Sequence, residues 1–171
     1  MAALLASMIH DAPTDSDVVL ELEQLARRKG TGLAADDLDG CWQLNQTWSR
    51  EGKASSSFSI GLLRGLQACL MLERQGDGMA IANQVSLGAV QLRFDGTASL
   101  KGRQPMLMFS FDSVRLKVGS LTLVNRSLPA PAKQRQPFFA LIAMGAERGW
   151  LCARGKGGGL ALWIRTPDNA A

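Results

Sequence analysis

The sequence predicts a mainly β protein, an antiparallel barrel or sandwich of about nine or ten strands preceded by one α-helix. Three observations carry this. One segment near the start has helical periodicity; after residue 40 the apolar pattern changes to short runs with a period of two; and glycine or proline separates many of those runs, at Gly65, Gly76, Gly78, Gly88, Gly96, Gly102, Pro105 and Gly119. Closure into a barrel would also remove exposed strand edges.

The helix is TDSDVVLELEQLARRKG, Thr14 to Gly30. Val18, Leu22 and Leu25 fall at i, i+4 and i+7, and Val19 and Ala26 widen the stripe. Asp15, Ser16 and Asp17 can accept from the free amides at its start, while Arg27, Arg28 and Lys29 complement its negative end before Gly30. GLAADDLDG then reads as a polar linker.

In the first strand, Cys41 to Trp48, the apolar Trp42, Leu44 and Trp48 oppose Gln43, Asn45 and Thr47, and Gln46 breaks the pattern. Further runs follow at SFSIGLL, LQACLML, MAIANQV, AVQLRF, MLMFSFDSV, RLKVGSLTLV, FFALIAM, WLCAR and LALWIR. The stretch Asn125 to Pro137, polar, basic and proline-rich, is the one long loop. MLMFSF is apolar on both faces, with Met106 and Met108 on one and Leu107, Phe109 and Phe111 on the other.

RGKGGG, Arg154 to Gly159, lacks the spacing of a phosphate loop and leads into an apolar strand rather than a helix. Its glycines instead suit a tight hairpin. Arg154, just before that turn, is either a surface arginine or a cap lying over the indole of Trp42.

At 171 residues the chain suffices for one domain, expected over residues 15–166 with short tails at 1–14 and 167–171. Three widely spaced cysteines, Cys41, Cys69 and Cys152, in apolar or alternating surroundings argue for reduced, buried thiols. His10 is the only histidine, which disfavours metal chemistry and nucleophilic triads. The strand-rich part has seven acids; Asp112 is the most notable, read as a solvent-facing carboxylate. The expectation is a protein that is not an enzyme.

Charge is uneven. Residues 1–40 carry eight acids against three bases, a balance of −5, and the remainder 16 bases against seven acids, a balance of +9. A basic body favours anionic partners, lipid headgroups as readily as nucleic acid. MAALLASMI lacks a basic n-region and is too short to span a bilayer, so the chain is expected to work in the cytoplasm.

LDGCWQL, with Leu38, Gly40, Trp42 and Leu44, follows a helix and opens the first strand; Asn83 precedes alternating apolar residues; Arg154, Gly155 and Gly158 precede the last strand. In these features, over roughly residues 15–166, the chain resembles the plastid lipid-associated protein family, the fibrillins, in a cyanobacterial-type form without an import presequence. It departs from the family before the final arginine, where MGAERGWLC stands in place of an acidic, tyrosine-containing stretch.

The resemblance implies a lipocalin-like barrel that associates peripherally with thylakoid membranes, binds isoprenoid lipids such as a carotenoid or quinone, and has a structural, photoprotective role. An apolar interior suits such a ligand, and Met71, Met79, Met106, Met108 and Met144 would make its lining adaptable. The candidate lipid-contacting residues are Trp42, Leu44, Trp48, Met106, Met108, Phe109, Phe111, Phe138 and Phe139; Gly40, Trp42, Arg154, Gly155 and Gly158 are the candidate barrel-closing set. Two alternatives are a bilin chromophore lyase or chaperone on the same type of barrel and a basic nucleic-acid-binding barrel. Against the last, the chain has no tyrosine and its phenylalanines lie in apolar runs.

Overall fold

The computed structural model describes residues 11–50, 67–132 and 135–167. The expected strand SFSIGLL lies outside the described residues. Among the described residues, two α-helices, α1 (Ser16–Lys29) and α2 (Ala35–Leu38), precede nine strands: β1 (Gly40–Trp48), β2 (Cys69–Gln75), β3 (Gly78–Leu87), β4 (Val90–Lys101), β5 (Met106–Val118), β6 (Leu121–Ser127), β7 (Phe138–Met144), β8 (Trp150–Gly155) and β9 (Leu160–Thr166). No helix among the described residues is long and apolar enough to cross a membrane.

All strand pairings are antiparallel, in the order β4-β3-β2-β1-β9-β8-β7-β5-β6, and β4 also pairs with β5. The sheet therefore closes into a ring of eight strands, with β6 added alongside β5. The first part of β5 pairs with β7, from Met106↔Ala140 to Met108↔Phe138, and its last part with β6, from Ser113↔Ser127 to Val118↔Leu121. MLMFSFDSV and the start of RLKVGSLTLV are thus one strand, and the hairpin comes at Gly119 and Ser120.

Two apolar clusters divide along the two faces of the ring. Inside lie Leu70, Leu72, Ile81, Leu107, Leu141, Leu151 and Trp163. Outside, α1 covers β7, β8 and β9, packing Val19 and Leu22 against Trp48, Ile142, Trp150, Cys152, Leu160 and Leu162. Alternate residues of β8 and β9 serve the two clusters, which is why WLCAR and LALWIR are apolar throughout.

α1 starts as expected, the Asp15 carboxylate accepting from the Asp17 amide at 2.9 Å, and Gly30 ends it with φ +78°. The buried stripe is rotated by one residue: Val19, Leu22, Glu23 and Ala26 face the ring, whereas Val18 is 39% exposed. The displacement brings the Glu23 carboxylate to the ring. The polar linker contains the single turn α2, whose Leu38 plugs one end of the ring with Trp42; the indole Nε1 donates to Leu38 O at 2.7 Å.

Gln46, the exception in the first strand, marks a bulge: pairing with β9 shifts between Leu44 and Gln46. Trp42 and Leu44 consequently face inward, Thr47 takes over the inward position and Trp48 turns out beneath α1. A second bulge, at Asp95/Gly96, bends β4 and β5. Gly96 is obligatory there, because a Cβ would collide with the Ser110 carbonyl.

Candidate ligand cavity

At the end of the ring opposite α2, the inner faces of β1, β2, β3, β5, β7 and β9 leave a cavity of about 370 Å³. Its wall is apolar, formed by residues such as Leu44, Leu70, Val85, Phe111 and Trp163, with Thr47 and Asn83 as the polar contributors. A chain of aromatic contacts spans it: Phe94–Phe111 at 5.5 Å, Phe111–Phe109 at 5.5 Å, Phe109–Phe139 at 5.1 Å and Phe139–Trp163 at 5.3 Å between ring centroids. Such tilted, stacked and edge-on arrangements hold the ring positions by their quadrupoles as well as by burial.

Of the candidate lipid-contacting residues, Leu44, Phe109, Phe111 and Phe139 converge here. The others do not. Trp42 is fully buried at the plugged end, Trp48 lies under α1, and Met106 and Met108 occupy the outer face of β5, since Leu107 and Phe109 take the inner one. Phe138 is on the outer face of β7 beside Arg154. Of the five methionines, Met79 and Met144 belong to the inner core rather than to the cavity wall. Asn83 does reach the cavity, together with Val85, Ala161 and Trp163, which strand alternation alone did not single out.

The barrel-closing set is realised with a different arginine. Arg165, not Arg154, lies over Trp42, 5.6 Å from the ring centroid, because β1 pairs with β9 in the register Trp42↔Arg165. Gly40, at φ +133°, leaves room for it: a Cβ there would stand 3.0 Å from the guanidinium. Arg165 Nη2 also donates to Asp39 O at 2.6 Å.

Arg154 points out of the ring to α1, where Nε and Nη2 donate to the two carboxylate oxygens of Glu23 and Nη1 to Gly158 O. Arg27 adds a bond to Glu23 Oε1 at 2.9 Å. Burial acts to raise the Glu23 carboxyl, but the bonds from Arg154 and Arg27 outweigh it and hold it below the usual carboxylate range. The bond to Glu23 outweighs burial at Arg154 too and raises its guanidinium further. Gly155 and Gly158 form the expected hairpin: Gly158 N donates to Gly155 O at 2.8 Å, Gly155 N to Gly159 O at 2.9 Å, and Gly158 has φ +90°.

The expectation of three reduced thiols is corrected for two. Cys41 and Cys69 are joined as a disulfide across the outer faces of β1 and β2, their Cα atoms 6.5 Å apart, and both are half-buried rather than enclosed. The hairpin register sets Cys69 opposite Gln43, two positions from Cys41 on the same face, a proximity that a separation of 28 residues conceals. Cys152 is free and buried under α1, and burial pushes its thiol pKa up.

Asp112 is the extra residue of β5 at the bulge opposite Asp95 and Gly96, and it is exposed. Among the described residues no three His, Cys, Asp or Glu side chains converge as a metal site. Comparison with protein-family models and with curated proteins gave no match to this chain.

Proposed function

We propose that this protein binds a hydrophobic lipid of the isoprenoid class in its ring and acts without catalysis, at the periphery of photosynthetic membranes, as a fibrillin-like carrier or structural protein. The observation that supports this reading is the 370 Å³ cavity with aromatic walls and, among the described residues, two polar side chains. Its size lies within the range of small-molecule sites, and its lining matches a ligand with a large apolar surface and one polar end. A quinone ring with the start of its tail suits these dimensions better than the full polyene of a carotenoid, and the Asn83 amide can donate to a quinone carbonyl.

Quinones quench indole fluorescence, and Trp163 stands in the cavity wall. Titration of the purified chain with decylplastoquinone should give saturable quenching at about one equivalent. Quenching that rises linearly without saturation, unchanged when the cavity is filled by Ala161→Trp, would sink the reading.

A further inference from the structure

The inner face of the sheet continues beyond the cavity. Past the ring, the end of β3, the start of β4, the end of β5 and β6 run on as two adjacent hairpins. Residues paired across an antiparallel ladder share a face. The registers Leu87↔Val90, Val90↔Val118 and Val118↔Leu121 therefore set four apolar side chains in one row across four strands. Behind it lies a second apolar row, Val85, Leu92, Leu116 and Val124, and then Phe94 and Val114. Val85 is itself part of the cavity wall and Phe94 touches Phe111, so the apolar surface runs without interruption from the hairpin tips into the cavity.

The tips are bare. Leu87 is 59% exposed and Leu121 63% exposed, with Val90, Val118 and Leu123 also in solvent. The two turns, Gly88–Ala89 and Gly119–Ser120, lie together, Gly119 N donating to Ala89 O at 2.8 Å, and neither carries a charge. Residues 84–94 and 113–127 hold four cations, Arg93, Arg115, Lys117 and Arg126, and no acid; Arg93 is paired with Asp95 at 2.7 Å, so the positive charge of the extension rests on Arg115, Lys117 and Arg126. Arg93, Arg115 and Lys117 sit on the face opposite the apolar rows.

We propose that these paired hairpin tips dock the protein on an anionic lipid bilayer, the apolar rows entering the acyl region and the cations meeting the headgroups. Charge selects the occupant: an anionic bilayer complements Arg115, Lys117 and Arg126 and accepts the uncharged tips, whereas the same residues of a second copy offer these cations no acid. The rows then provide a dry path between the acyl chains and the cavity, an inference that rests on the reading of the cavity as a lipid site.

The test uses the full chain and vesicles of phosphatidylglycerol and phosphatidylcholine in equal parts, with pure phosphatidylcholine for comparison, read by co-sedimentation at low salt. Binding to the anionic vesicles alone is expected, weakened at least tenfold in Leu87→Ser/Leu121→Ser by the loss of two penetrating side chains. Arg115→Gln/Lys117→Gln should weaken it roughly tenfold. Both pairs stand on the extension, away from the core, and decylplastoquinone quenching without vesicles should be unchanged in both. Equal vesicle binding by wild type and Leu87→Ser/Leu121→Ser, or a stable dimer in ultracentrifugation that this variant converts to monomer, would overturn docking. Loss of quenching with vesicle binding intact would instead overturn the cavity reading alone.

Discussion

Arg154 and Glu23, 131 residues apart in sequence, meet through two parallel hydrogen bonds of 2.6 Å each, Nε to Oε1 and Nη2 to Oε2. The geometry is the fork-on-fork pairing that favours arginine over lysine, and it ties α1 to the ring just before the last hairpin. Both side chains are largely enclosed, at 16% and 6% exposure.

Removing one partner should therefore cost more than removing both. Arg154→Leu leaves the Glu23 carboxylate with only Arg27, whose side chain is 62% exposed. We expect a loss of about 3 kcal/mol in urea unfolding, and recovery of most of it in Glu23→Leu/Arg154→Leu. An additive double variant would show that the pair is not coupled.

The same pair gives stability a defined pH dependence. The folded Glu23 pKa is depressed below its unfolded value, so the unfolded chain binds the proton first. The contribution of Glu23 is complete above the ordinary carboxylate pKa of about 4.3 and disappears as pH falls through the lower, folded value. The urea midpoint of wild type should accordingly exceed that of Glu23→Gln at neutral pH and converge with it in acid. Parallel curves over the whole range would refute the assignment.

Within the cavity, polar and apolar contributions separate. Asn83→Leu should weaken decylplastoquinone about fivefold, the worth of one neutral hydrogen bond, while leaving an aromatic hydrocarbon probe such as pyrene unaffected. Ala161→Trp should abolish both by filling the space. Equal loss of both ligands in Asn83→Leu would mean that the amide shapes the wall rather than contacting the ligand.

Two glycines are fixed by space rather than by turn conformation. A Cβ on Gly96 collides with Ser110 backbone at the bulge, and one on Gly145 with the Trp150 indole. Gly96→Ala and Gly145→Ala should each destabilise by about 2 kcal/mol or more, whereas Gly157→Ala, with open space around its Cβ position, should be near neutral. Thermal or urea unfolding of the three variants distinguishes them directly.

Strand alternation made the ring legible in the sequence because nearly every strand buries at least one face. Gln46 stood out as a misfit, but the bulge behind it shows only in the β1–β9 register. Alternation failed where a partner lies far along the chain. Nothing local distinguishes Arg154 from Arg165 as the cation over Trp42; the β1–β9 register does. Likewise Glu23 reads as the polar side of a helix until Arg154 is opposite it, and the cysteines at 41 and 69 are neighbours only through their hairpin. The cavity was legible in part: Leu44 follows from the alternation of the first strand, whereas Phe109, Phe111 and Phe139 were candidates together with Met106, Met108 and Phe138, which fall on the other side of their strands. Apolar runs covered by a helix on one face and a core on the other carry no alternation by which to assign them.

Organic extraction of the chain purified from a photosynthetic host, with mass spectrometry of the extract, shows whether the ring carries a lipid. Close to one equivalent of an isoprenoid lipid per wild-type chain is expected, and none from Ala161→Trp. Extracts free of isoprenoid lipid, or carrying equal amounts from both proteins, would contradict a ligand held in the ring.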